Sequence, residues 1–174
     1  MTLVTPRSTN GGFGGKPLVV EVGVGEWVVG CEPQRLLTQA LGSCVGVTLW
    51  DAQTRRGAMG HVMLPAPVDS SLRGDMRRFA SHAIPGMASQ LHNLGVPTAR
   101  LVAKLTGGAA MFHGESAVAH IGSRNLDEVK RQLSLLRIPV VAEDTGGSHA
   151  RTIELHLDTG LLLVRSYRYG VHEL

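Results

Sequence analysis

The chain has 174 residues, a length that suits one domain with a core large enough to fold alone. Hydrophobic residues make up 43%, charged residues 18% and aromatics 4%, so a soluble globular core must rest on Val, Leu, Ile, Met and Ala. The net charge of +3 is mild and scattered, with no basic block and no basic run interleaved with aromatics, which argues against nucleic acid as a partner.

Residues 1–17 (MTLVTPRSTNGGFGGKP) are rich in Thr, Ser, Asn and Gly and are expected to form a flexible tail, with the folded domain over 18–174. The tail lacks the apolar stretch of a secretory signal, and no segment is long and apolar enough to span a bilayer. LVVEVGV (18–24) and EWVVG (26–30) follow as an expected strand pair. Gly42 and Ser43 suit a tight turn. Cys44 to Trp50 and Ala58 to Leu64 then read as two apolar strands, joined as a hairpin through DAQTRRG. Pro65 and Pro67 end the second strand.

Asp75 to Leu94 has helical spacing, with Met76, Phe79, Ala80, Ala83, Ile84, Met87, Ala88 and Leu91 on one face. Pro85 should kink this helix or mark a boundary, and Gly95 should cap it. ARLVAKL (99–105) reads as a strand, TGG (106–108) as a turn and AVAHI (117–121) as a short strand. Asn125 to Leu136 is a second amphipathic helix with Asn125 as N-cap. Ile138 to Ala142 is a strand, and TGG (145–147) turns the chain. Residues 152–157 and 161–167 form a last hairpin across Asp158-Thr159-Gly160. The expected fold is an α/β (α+β) sandwich with mixed sheets and two main helices.

Two residues carry a possible chemistry. Cys44 stands where a turn becomes an apolar strand, and it reads either as a buried small hydrophobe or as a nucleophile in a cleft. His61 interrupts the apolar strand AMGHVML, where an imidazole needs a partner. The hairpin brings both toward one end. An imidazole beside a thiol can take its proton and later protonate a leaving amine. Thr38 could orient that ring, and backbone N–H groups of Gly42, Ser43 and Cys44 could hold an oxyanion. TGGSH (145–149) reads as a loop or as the rim of such a cleft.

Other chemistries find less support. His82, His92, His113, His120, His149, His156 and His172 show no metal-ligand spacing, and no phosphate-binding loop is present, so no metal and no cofactor are expected. Cys31, before Glu32-Pro33, reads as structural. A reducing cytoplasm would leave both thiols free.

LGSCVGVTLWD (41–51), GHVMLP (60–65), AKLTGGAAMF (103–112), IGSRNLDEVKRQL (121–133) and the segment from Ile138 to Arg165 together resemble the CheD family of chemoreceptor glutamine deamidases. The resemblance implies a single-domain cysteine-hydrolase fold. It also implies a catalytic Thr, a Cys six residues later and a His seventeen residues after that, spacings met by Thr38, Cys44 and His61. A protein-glutamine glutaminase would follow, converting glutamines on chemoreceptor helices to glutamate in the cytoplasm. A CheC-like phosphatase is an implied partner, and a regulatory binding module for that phosphatase is the alternative function. A thiol-dependent esterase or amidase on small molecules would use the same trio. The chain departs from the family pattern at Thr106, where an aromatic is common, at Ala110, where Asn is usual, and at Ala150, where Gly is usual.

Overall fold

The computed structural model describes residues 17–68, 74–111 and 120–174. The tail expected over residues 1–17 lies outside the described residues except for Pro17. Among the described residues, ten strands and two α-helices make a single-domain α+β fold with two mixed sheets. The strands are β1 (Val19–Glu21), β2 (Trp27–Cys31), β3 (Arg35–Leu41), β4 (Val45–Asp51), β5 (Arg56–Val62), β6 (Val102–Gly107), β7 (Val140–Thr145), β8 (Arg151–His156), β9 (Leu162–Ser166) and β10 (Gly170–Glu173). The helices are α1 (Ala80–Asn93) and α2 (Ile121–Leu135).

One sheet runs β1-β3-β8-β9-β10 and the other β2-β5-β4-β6-β7. Pairing is antiparallel except for β1 with β3 and β6 with β7. The second sheet is the middle layer. One of its faces packs on α1 and α2 through Val45, Val47, Leu49, Ala58, Val62, Ala103 and Leu105. Its other face packs on the first sheet, where Met59 meets Leu36, Leu41, Ile153 and Leu155. A strand covered on both sides needs apolar residues at successive positions, which is why β4 reads as a nearly unbroken apolar run.

The expected β4–β5 and β8–β9 hairpins are present. The expected pairing of the first two strands is not. β1 lies beside β3 in one sheet and β2 beside β5 in the other, so the short link between them crosses from layer to layer. β3 and β10 were not anticipated. The first helix begins at Ala80, after a short 3₁₀ turn over Met76–Arg78, and it runs unbroken through Pro85. It ends in a Schellman cap, with Val96 N–H on Leu91 O at 3.0 Å, Gly95 N–H on His92 O at 2.9 Å and Gly95 at φ +86°. β6 starts three residues later than expected and absorbs Thr106 and Gly107. Of the strand expected over 117–121, residues 117–119 lie outside the described residues, and Ile121 opens α2.

Asn125 is the largest revision. It is not an N-cap, because α2 starts four residues earlier with His120 before it. Asn125 sits inside the helix and is fully buried. It shares a face with Gly122, Val129 and Leu133, which lie three, four and eight positions away.

Candidate active site

Strand register decides which side chains meet. His61 on β5 stands directly opposite Gly46 on β4. Cys44 lies two residues before Gly46, so the alternation of side chains puts Cys44 and His61 on the same face, diagonally across one strand pair. That face looks toward the first sheet, and Cys44 packs against the cluster between the sheets. The gap between the two residues is held by Gly46. A Cβ there would stand 2.6 Å from Cδ1 of Ile153 and 2.7 Å from Cδ1 of Leu41, so a side chain would have to displace the ends of these two core residues beside His61.

Thr38 approaches from the opposite layer. It lies on β3, fully buried, and its Oγ1 is 2.8 Å from Nδ1 of His61. The same hydroxyl donates to Val22 O at 2.7 Å. A hydroxyl has one proton, and a carbonyl can only accept it. Oγ1 therefore accepts from His61, which places the ring proton on Nδ1 and leaves a lone pair on Nε2. Nε2 is buried and has no partner among the described residues. The link between β1 and β2 fixes this arrangement from both ends. Val22 N–H donates to Leu37 O, Gly25 N–H donates to His61 O, and His61 N–H donates to Glu26 O.

Burial sets the charge state. His61 is 1% exposed, and desolvation pushes its pKa down from 6.5 to about 4. Desolvation also pushes the Cys44 thiol above its ordinary range. At neutral pH the resting pair is thus a thiol and a neutral imidazole.

The turn before β4 is tied down through its carbonyls. Gly42 O accepts from Ala109 N–H at 2.8 Å, Ser43 O from Asn125 Nδ2 at 3.0 Å and Cys44 O from Gly108 N–H at 2.8 Å. Gly42 N–H is already used on Ala40 O at 3.0 Å, so Gly42 drops out as an oxyanion donor. The N–H groups of Ser43 and Cys44 have no acceptor among the described residues. Loop 146–149 borders this turn, since Ala110 N–H donates to Gly147 O while its neighbour Ala109 holds Gly42. Ala110, one of the three departures, takes part there with its backbone.

Cys31 is exposed at the end of β2, so the expected packing role does not hold; both cysteines are free. Among the described residues no three His, Cys, Asp or Glu side chains converge as metal ligands, and no helix is long and apolar enough to cross a membrane. Sequence reasoning missed Val22, Gly46 and Asn125. The last carried a signal, a polar residue in register with the apolar face of α2.

Thr38→Val keeps the volume and removes the acceptor of the imidazole proton. The ring then loses its fixed tautomer, and turnover should fall roughly tenfold to a hundredfold, less than the ~10²–10⁴ a general base supplies. Steady-state kinetics beside a thermal melt checks this. Unchanged turnover in a folded variant would remove Thr38 from the site.

Comparison with known proteins bears on the same residues. The family described as CheD chemotactic sensory transduction matches residues 63–166. The probable chemoreceptor glutamine deamidase CheD of Moorella thermoacetica is 42% identical over 154 residues, covering 87% of this chain and 92% of its own. The chemoreceptor glutamine deamidase CheD of Thermotoga maritima is 43% identical over 150 residues, covering 86% and 92%. A probable chemoreceptor glutamine deamidase, CheD 2 of Geobacter metallireducens, is 40% identical over 160 residues, covering 90% and 98%. Alignments of that length must include residues 38–61, which the shorter family match leaves out. With likeness running through both sheets and both helices, the chain belongs to the CheD family.

Proposed function

We propose that this chain is a protein-glutamine deamidase that converts glutamines of chemoreceptor helices to glutamate in the cytoplasm, as part of chemotactic adaptation. Cys44 is the nucleophile, His61 the base and then the acid, and Thr38 the residue that positions the ring. The observation that carries this reading is the buried imidazole with Nδ1 on Thr38 and an unshared pair on Nε2, on the face that Cys44 shares. The names of the relatives supply the substrate class.

The chemistry runs in two halves. Nε2 takes the Sγ proton as sulfur attacks the side-chain carboxamide carbon of glutamine. The C–S bond forms, and the carbonyl electron pair moves onto oxygen, held by the Ser43 and Cys44 N–H groups. When that oxygen re-forms its double bond, the C–N bond breaks, and the nitrogen leaves as ammonia with the proton from Nε2. A thioester remains. Water then attacks its carbon while Nε2 takes a water proton. The C–S bond breaks, sulfur recovers the proton, and a glutamate side chain is released.

This ordering suits a neutral resting pair, because the imidazole is free to accept a proton at any pH well above 4. Intact-mass measurement of receptor cytoplasmic fragments after incubation tests the reading. Each modified site gains about one dalton as NH₂ becomes OH. Unchanged mass on every fragment, with the protein folded and its thiol reduced, would refute it. A CheC-like phosphatase belongs to the same reading as a partner, to be tested by co-elution.

A further inference from the structure

We propose that Asn125 is a positioning residue for the reaction, acting through the Ser43–Cys44 peptide to aim the Cys44 N–H at the developing oxyanion. This deepens the amidase reading above and rests on it.

Asn125 is 0% exposed and lies within α2, yet its side chain serves no helical purpose. Its Nδ2 donates to Ser43 O at 3.0 Å and to Met63 O at 2.9 Å. The two acceptors belong to the turn that delivers Cys44 and to the segment that leaves β5 after His61. One amide thus ties the chain beside the nucleophile to the chain beside the base.

The peptide plane gives this contact a direction. In a trans peptide the C=O and the N–H point to opposite sides. The carbonyl of residue 43 and the N–H of residue 44 belong to one such plane. With the carbonyl held toward α2, the N–H is turned away from α2 and has no acceptor among the described residues. The preceding plane is fixed likewise, since Ala109 holds Gly42 O and thereby orients the Ser43 N–H. Hydrogen bonding to a carbonyl also polarises its peptide and strengthens the N–H as a donor.

The helix is placed to make this contact. Gly122, one turn before Asn125, lets α2 lie directly on residues 108–109. A Cβ there would stand 2.6 Å from Ala109 O and 2.8 Å from Gly108 O. The segment it covers is the one that pins Gly42 and Cys44. A buried asparagine whose role was only to hold the fold would not need its two acceptors to flank both reacting side chains.

Two readouts test this: turnover of a receptor fragment, and alkylation of Cys44 by iodoacetamide. Alkylation needs an ionisable thiol but develops no oxyanion. Asn125→Ala should lower kcat roughly a hundredfold, the loss typical of a disabled oxyanion donor. KM should stay within about threefold, as expected when only a transition-state interaction is lost. The alkylation rate of Cys44 should not follow kcat down. Asn125→Asp keeps the shape if the alanine variant fails to fold. It sets an ionisable group against two carbonyl oxygens, so its kcat should fall as pH rises, a limb the parent lacks.

A kcat within about threefold of the parent overturns the proposal, as does alkylation that falls in parallel with kcat. A parent that alkylates normally but releases no ammonia from any fragment defeats the amidase reading instead, and the positioning role with it.

Discussion

Cys44→Ala is expected to reduce ammonia release from a receptor fragment to the uncatalysed rate, while Cys31→Ser leaves it within about twofold of the parent. The asymmetry comes from position. Cys31 is exposed at the end of an edge strand. Cys44 is half-buried against the inter-sheet cluster and shares a strand face with the free nitrogen of His61. Removing one sulfur from a half-buried site costs about 1 kcal/mol of stability, too little to unfold the domain and confuse the result. Cys44→Ser should be nearly as inactive. A hydroxyl holds its proton more tightly than a thiol, and the desolvated imidazole is a weaker base than an exposed one. Ammonia release and intact mass, with circular dichroism as the folding control, measure the outcome. An alanine variant that still releases ammonia would show that Cys44 is only a small packed residue.

What the sequence disclosed follows from how local each determinant is. β4 and β5 were legible because a polar connection separates two long apolar runs, and their pairing brings Cys44 and His61 to one end. β8 and β9 were legible for the same reason. The separation of β1 from β2 was not. Two short strands close in sequence normally pair, and here each finds a better partner elsewhere in the chain. β3 was hidden because Thr38 and Gln39 interrupt its apolar pattern. A bulge then inserts Ala40 at φ +59°, which breaks the alternation before Leu41.

The site shows the same division. The diagonal between Cys44 and His61 follows from one hairpin. The contact between Thr38 and His61 joins two sheets, so no local pattern reveals it; position near Cys44 offered Thr38 only as a weak candidate, and the family resemblance strengthened it. Asn125 was misread because Asn before Asp127 and Glu128 fits a helix start. Only the i+4 and i+8 spacing to Val129 and Leu133 marks it as facing inward.

His61 should impose a pH dependence in two observables, and both have a definite sign. Burial lowers its pKa from 6.5 to about 4. Between those values the unfolded chain binds more protons than the folded one, so stability rises with pH. The contribution is complete above pH 6.5 and is lost progressively as pH falls toward 4. Its size is about 3 kcal/mol. The depressed carboxyls of Asp51, Glu128, Asp144 and Glu154 act the same way, but only below their unfolded values near 4.

His61→Gln removes the titration without adding a charge. Denaturant melts from pH 7 to 4.5 should therefore steepen with acid in the parent and flatten in the variant. The variant should also lose roughly 10²–10⁴ in turnover. In the parent, kcat/KM should hold level through neutrality and fall only as pH approaches the ring's pKa of about 4. An ion pair preformed between thiolate and imidazolium would invert this order. The ring would then titrate well above 6.5, and the acid limb would report the thiol instead. The two pairings are tautomers with one proton between them, so they share the stability slope between pH 4.5 and 7, and the ultraviolet absorbance of a thiolate at pH 7, present only in the charged pair, distinguishes them independently of any substrate.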